Sequence, residues 1–129
     1  MRGQMITLQI TARKTHGIFL RSQRRLRESA EQMVLAAELA PTDSVRAAAA
    51  ARALRDAQRC LSAEWWYAKA VELKPEDPEH HSNLGAILHL NGKYTAAASS
   101  YRRALQLQPN DEITLTNLKR VRALMGHKK

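Results

Sequence analysis

Three prolines, Pro41, Pro75 and Pro109, stand at one fixed interval, and the residues between them repeat in type as well as in spacing. In the stretch 78–111, PEHHSNLGAILHLNGKYTAAASSYRRALQLQPND, Leu84, Gly85 and Leu88 fall at i, i+1 and i+4. Ala97, Tyr101, Ala104 and Leu105 fall at i, i+4, i+7 and i+8. Each set lies on one face of a 3.6-residue helix. Gly85 and Ala97 are small where two backbones must come close, and Leu88 and Tyr101 are large where the gap must be filled. Asn91-Gly92 divides the two helical patterns, and Pro109 ends the second, because proline lacks an N–H and disfavours helix in the residue before it. The unit is a helical hairpin.

One interval back along the chain, Ala63, Tyr67 and Ala70 stand where Ala97, Tyr101 and Ala104 do, and a second interval back gives Ser29, Met33 and Ala36. One interval forward from Asn83 and Leu84 gives Asn117 and Leu118. The interval is the step from Pro75 to Pro109, and a 34-residue period of paired helices is the signature of the tetratricopeptide repeat (TPR). The run His81-x2-Leu84-Gly85-x2-Leu88, Ala97-x3-Tyr101-x2-Ala104, Pro109 resembles that family's pattern at every position except His81, where a large apolar residue is usual. The resemblance implies an all-α fold, a TPR superhelix of about three helix-turn-helix repeats closed by a capping helix.

The expected organisation follows the phase. Residues 1–9 carry no repeat signal and are expected to be disordered. Residues 10–43 form a degenerate repeat: Gly17 and Leu20 are in phase with Gly85 and Leu88, but Arg13 and His16 occupy apolar positions, and Leu26, Ala30, Met33, Ala36, Ala37 and Leu39 make the stripe of its second helix. Residues 44–77 are a repeat whose first helix is largely alanine, with Ala47, Ala50, Ala51 and Leu54 at the key positions and Asp43 or Ser44 as N-cap. Residues 78–111 are the best repeat. Residues 112–125 form a cap in which Lys119 and Arg122 replace apolar residues, as suits a terminal helix with no partner beyond it. Residues 126–129 are a basic tail. Of the adjacent Trp65 and Trp66, one should pack between repeats and the other lie outward.

Composition narrows the function. No apolar run approaches membrane-spanning length, and the lone Cys60 excludes an intrachain disulfide and reads as a small buried side chain. The net charge of +9 is concentrated at the ends: residues 1–27 hold seven basic residues and no acid, and 112–129 hold five against one. Residues 1–27 are open to three readings: a worn first helix, a mitochondrial transit peptide, or a chain whose start is truncated. The five histidines, His16, His80, His81, His89 and His127, complete no metal-ligand spacing. No catalytic set can be nominated, and no cofactor or metal is expected.

A stack of such hairpins has a concave face lined by the first helix of each. The expected groove residues are Arg52 and Arg55 in 44–77, with Ala48; Ser82, Asn83 and His89 in 78–111, with Ala86; and Thr116, Asn117 and Arg120 in the cap. Asn83 and Asn117 recur in phase. An asparagine amide both donates and accepts, so a ladder of them can hold the backbone of an extended peptide. It is similar to the asparagine ladder of superhelical TPR arrays such as that of the O-linked N-acetylglucosamine transferase. The carboxylate clamp of chaperone-binding TPR domains is absent, since Ala48, Arg52, Ile113 and Asn117 stand at its other positions. From about Glu64 to Met125 the chain also resembles the C-terminal end of the transmembrane and TPR repeat-containing proteins, which are membrane-anchored O-mannosyltransferases of the endoplasmic reticulum with a lumenal TPR array.

The expected function is a non-catalytic protein-interaction module whose partner is a peptide or protein, with basic residues favouring an acidic one. One alternative is a substrate-recognition fragment of an O-mannosyltransferase, which sets the compartment as endoplasmic reticulum rather than cytoplasm. Another is a basic surface for nucleic acid or an anionic membrane; few aromatics and no nucleic-acid motif count against nucleic acid.

Overall fold

The computed structural model describes residues 2–126, with side chains from residue 17 onward. Those residues form six helices and no strand. They are α1 (Arg2–Leu39), α2 (Ser44–Asp56), α3 (Cys60–Leu73), α4 (Pro78–Leu90), α5 (Tyr94–Leu107) and α6 (Glu112–Gly126). Each helix packs on the next, and α4 also touches α6, so the chain stacks as a solenoid of antiparallel hairpins, α2–α3 and α4–α5, between α1 and α6.

The helix starts share one device. Asp43, Asp77 and Asp111, spaced by the same interval as the prolines, each precede a first helix. The Asp43 carboxylate accepts from the N–H groups of Val45 and Arg46 at 3.0 and 3.2 Å. That of Asp77 accepts from Glu79 N at 2.9 Å, and that of Asp111 from Ile113 N at 3.2 Å and the Thr114 hydroxyl at 2.7 Å. Three otherwise orphaned helix ends are thereby satisfied. Asp43 is the cap, and Ser44 is the first helical residue.

The hairpin turns also share one geometry. In the α4–α5 turn Lys93 N bonds Leu88 O at 2.9 Å while Gly92 adopts φ +77°. In the α2–α3 turn Arg59 N bonds Leu54 O at 2.8 Å and Gln58 takes φ 63°. Both are left-handed helix closures, the second made without glycine and hence under strain.

At the corresponding place in the first repeat the structure departs from expectation. Instead of a disordered 1–9 and a hairpin over 10–43, α1 runs unbroken from Arg2 to Leu39. The turn position is held by Gln23-Arg24-Arg25, all good helix formers, and Arg24 reaches along the helix to Glu28 at 3.1 Å. With Arg13 and His16 in place of apolar residues, folding back offers little burial to offset a strained turn. The cap ends at Gly126, and residues 127–129 of the expected tail lie outside the described residues.

The core is two clusters. One joins Ala30, Ala51, Leu54, Ala57, Ala63, Tyr67 and Ile87, with Cys60 and Trp66 partly buried against it. The other joins Leu88, Ala97, Ala98, Tyr101, Leu118 and Val121. Leu84 packs against both. Tyr101 is 1% exposed, and a Cβ added at Gly85 would meet its ring at 2.7 Å. Only glycine lets α4 and α5 approach that closely. Ala70 and Ala104 are buried beside the tyrosines. Trp65 faces out and Trp66 is half-buried, their rings edge to face at 5.0 Å. Three expected apolar positions are exposed: Leu20, Met33 and Leu39. The stripe that α1 buries runs instead through Leu26, Ala30, Val34 and Ala37.

Polar ties join successive units. Asn91 Nδ2 donates to Cys60 O at 3.1 Å and to Glu64 Oε1 at 3.0 Å, and Lys93 Nζ to Glu64 Oε2 at 2.9 Å, fixing the α4–α5 turn to α3. Ser82 and Thr114 share a hydrogen bond of 2.7 Å between α4 and α6. Burial works against the Glu64 carboxylate, but the hydrogen bonds from Lys93 and Asn91 and the Lys93 charge outweigh it and hold the carboxyl below the ordinary glutamate range. A folded-state pKa held below the unfolded one gives stability that is present above the unfolded pKa and lost as pH falls through the folded one. Urea midpoints measured from about pH 6 to about pH 3 should therefore fall more steeply for the wild type than for Glu64→Gln; equal slopes would contradict the tie.

Candidate functional site

The inner face of the stack carries two recesses. The first, of about 420 Å³, is lined by Val45, Ala48, Ala49, Arg52 and Arg55 of α2, Tyr67 of α3, and Glu79 and Asn83 of α4. The second, of about 350 Å³, is lined by Glu112, Ile113, Thr116, Asn117 and Arg120 of α6. Helical spacing explains both. Ala48, Arg52 and Arg55 lie at i, i+4 and i+7 on α2, and Glu79 and Asn83 one turn apart on α4. Glu112 with Thr116, and Ile113 with Asn117, repeat that spacing on α6.

Six of the eight sequence-predicted groove residues line these recesses: Arg52, Arg55 and Asn83 in the first, and Thr116, Asn117 and Arg120 in the second. Ser82 and His89 line neither. The Ser82 hydroxyl is spent on Thr114, and the half-buried His89 ring sets its edge against Tyr94, 5.7 Å between centroids. Thr116 lines its recess with a hydroxyl already donated to Glu112 O at 2.9 Å. Asn83 and Asn117 keep the phase of the repeat but fall in separate recesses.

Tyr67 and Glu79 join the site without being expected there. By its spacing Tyr67 reads purely as a packing residue, and it is one, at 3% exposure, yet it also borders the first recess. Burial pushes its phenol up, and the Arg55 and Arg52 charges pull the other way, so both guanidiniums stand close enough to act on it. The signal that could have found Glu79 is its i, i+4 relation to Asn83. The first recess thus sets two guanidiniums against one carboxylate, and the second sets Arg120 against Glu112. Arg55 also approaches Asp56 at 3.4 Å. The arrangement offers cations, amides and a hydroxyl for binding.

Among the described residues no group of three His, Cys, Asp or Glu side chains could hold a metal ion, and no helix is long and apolar enough to cross a membrane. Two histidines are buried away from the recesses. His81 Nε2 is 2.7 Å from Pro75 O, which gives a polar anchor to the usually apolar position. His80 is 4% exposed with neither ring nitrogen hydrogen-bonded, and Asp77 Oδ2 stands 3.5 Å from its Nε2.

Residues 78–111 match the family model described as tetratricopeptide repeat. The human protein O-mannosyl-transferase TMTC2 is 47% identical over 76 residues, 59% of this chain and 9% of that protein. Human TMTC1 is 42% identical over 52 residues, 40% of this chain and 6% of that protein. The chain thus spans less than a tenth of these relatives' length. Among solved structures, the first TPR of Spaghetti (RPAP3) bound to the HSP90 peptide SRMEEVD superposes with a TM-score of 0.73 and 22% identity, covering 81% of this chain and 83% of that one. The six helices of residues 2–126 thus have the fold of an all-α tetratricopeptide repeat solenoid, and that repeat's family model matches residues 78–111.

Proposed function

We propose that this chain is a non-catalytic interaction module that receives an extended, acidic segment of a partner protein along α2, α4 and α6. The observation that carries the reading is the convergence of Arg52, Arg55 and Asn83 on one recess, with Asn117 and Arg120 in phase on the next. Guanidiniums take carboxylates through two parallel hydrogen bonds. Asparagine amides satisfy a peptide backbone without demanding a particular side chain. The structural neighbour with its bound peptide supports this mode of use. The ligand is not a chaperone tail, because the clamp positions hold Ala48, Arg52, Ile113 and Asn117.

The test is binding to an array of acid-rich, neutral and basic peptides at moderate salt. Arg52→Ala and Asn83→Ala should each weaken capture of the acid-rich set by roughly fivefold to thirtyfold, the equivalent of about 1–2 kcal/mol. Ser82→Ala should leave it within about twofold, since its hydroxyl already serves Thr114. Capture indifferent to Arg52 and Asn83, or only nucleic acid retained with a steep loss on adding salt, would overturn the reading.

A second, narrower reading rests on the 47% identity to TMTC2. Here the groove presents polypeptide acceptors to an O-mannosyltransferase in the endoplasmic reticulum, and catalysis belongs to other parts of that enzyme. Serine- and threonine-rich peptides should then be retained in preference to the same peptides with alanine at those positions. Equal retention would contradict it.

A further inference from the structure

Rows of residues one repeat period apart run across the groove, because α2, α4 and α6 stand in one phase. Val45, Ala49 and Arg52 on α2 correspond to Glu79, Asn83 and Ala86 on α4, and to Ile113, Asn117 and Arg120 on α6. Within each helix the three lie at i, i+4 and i+7, so they share a face. The middle row, Ala49–Asn83–Asn117, is one small side chain and two amides. The row beyond it toward the helix C-termini, Arg52–Ala86–Arg120, is a cation, a gap and a cation. The row on the other side, Val45–Glu79–Ile113, is the reverse: one carboxylate between two aliphatic side chains that are 71% and 74% exposed. Among the described residues no hydrogen bond or ion pair engages the side chains of Arg52, Glu79 and Arg120, whereas Arg55, one turn further along α2, already approaches Asp56. The charges open to a ligand therefore stand at three separate points.

The packing of the helices fixes how far apart those points lie. Ile87 of α4 shares one cluster with Ala51 and Leu54 of α2, and Leu88 of α4 shares the other with Leu118 and Val121 of α6. Helices packed through side chains in this way stand about 10 Å apart. Arg52 and Arg120, two such steps apart, are separated by about 20 Å, which an extended chain covers in about six residues. Side chains of an extended chain alternate between its two edges. Residues six apart point to the same edge, and the residue midway points to the other. A backbone laid along the Ala49–Asn83–Asn117 row thus turns both outer side chains toward the guanidiniums and the central one toward Glu79. Taking the interaction reading proposed above as given, we infer that the groove selects an extended segment with two acidic side chains about six residues apart and a basic side chain midway between them. Ala86 supplies no cation to hold an acid at the centre, and Glu79 repels one there. Aliphatic residues beside the two acids pack on Val45 and Ile113. The groove reads a spacing and an order of charge, which acidic composition alone does not supply.

Fluorescence anisotropy at moderate salt, with labelled peptides of equal length and composition, tests the register. Two glutamates are set four, six or eight residues apart around a central lysine on a serine and glycine background. The six-residue spacing should bind at least about fivefold more tightly than the other two, and Arg120→Ala, with unchanged helical circular dichroism, should abolish that preference. Glutamate in place of the central lysine should weaken binding by about fivefold or more, and Glu79→Lys should reverse the order of those two peptides. Equal binding at all three spacings, a preference for six that survives Arg120→Ala, or a central-lysine preference indifferent to Glu79→Lys would each overturn the inference; where Arg52→Ala and Asn83→Ala still weaken capture, the interaction reading stands without it. Acid-rich peptides held through neither Arg52 nor Asn83 would overturn both.

Discussion

The contact between the Tyr101 ring and the Gly85 backbone sets how closely two helices of one hairpin can stand, and the rest of the stack depends on that spacing. The ring is almost wholly buried and fills a space that one methyl group on Gly85 would occupy. Close packing of this kind leaves little room for adjustment, because interiors are nearly as dense as organic crystals. The hairpin α2–α3 solves the same problem with Ala51 and Tyr67 in one cluster. The first repeat does not solve it: Met33 is too flexible and too exposed to act as the ring does, and nothing covers Gly17. The quality of this one contact declines from the third unit to the first, and the hairpin is lost where the contact is lost.

Fixing the second helices on the outer side leaves the opposite faces of α2, α4 and α6 unclaimed. Those faces carry polar residues of all three helices, among them Arg52, Asn83, Asn117 and Arg120. The ties that hold the units in register, Glu64 to Asn91 and Lys93 and Ser82 to Thr114, use polar side chains without closing either recess. Tyr67 belongs to both worlds, packing between helices and bordering the first recess. A polar surface built this way needs no loop; it is the by-product of a packing rule applied at a fixed period.

The repeat is legible because its determinants are local and periodic. Gly85, Tyr101, Ala104 and Pro109 announce their roles by size and spacing alone. The aspartate caps at 43, 77 and 111 are equally periodic, though only Asp43 stands out as a cap before the structure is seen. The first hairpin misleads because Gly17 and Leu20 keep the phase while the turn chemistry at Gln23-Arg24 does not; a repeat needs both. Groove membership is partly legible. A helical face can be read from spacing, which finds Arg52, Arg55, Asn83, Thr116, Asn117 and Arg120. Whether a side chain on that face is already engaged depends on neighbours in another repeat, as with Ser82 and Thr114, and no local pattern records it.

A double-mutant cycle on Gly85 and Tyr101, followed by urea unfolding, tests the central claim most directly. Gly85→Ala alone should destabilise by about 1–3 kcal/mol through overpacking, although alanine is the better helix former by about 1 kcal/mol. In a Tyr101→Leu background the same change should be neutral or stabilising, giving a coupling of at least about 1 kcal/mol. If Gly85→Ala costs the same in both backgrounds, the approach of the two helices is not set by this contact and the account of the stack fails.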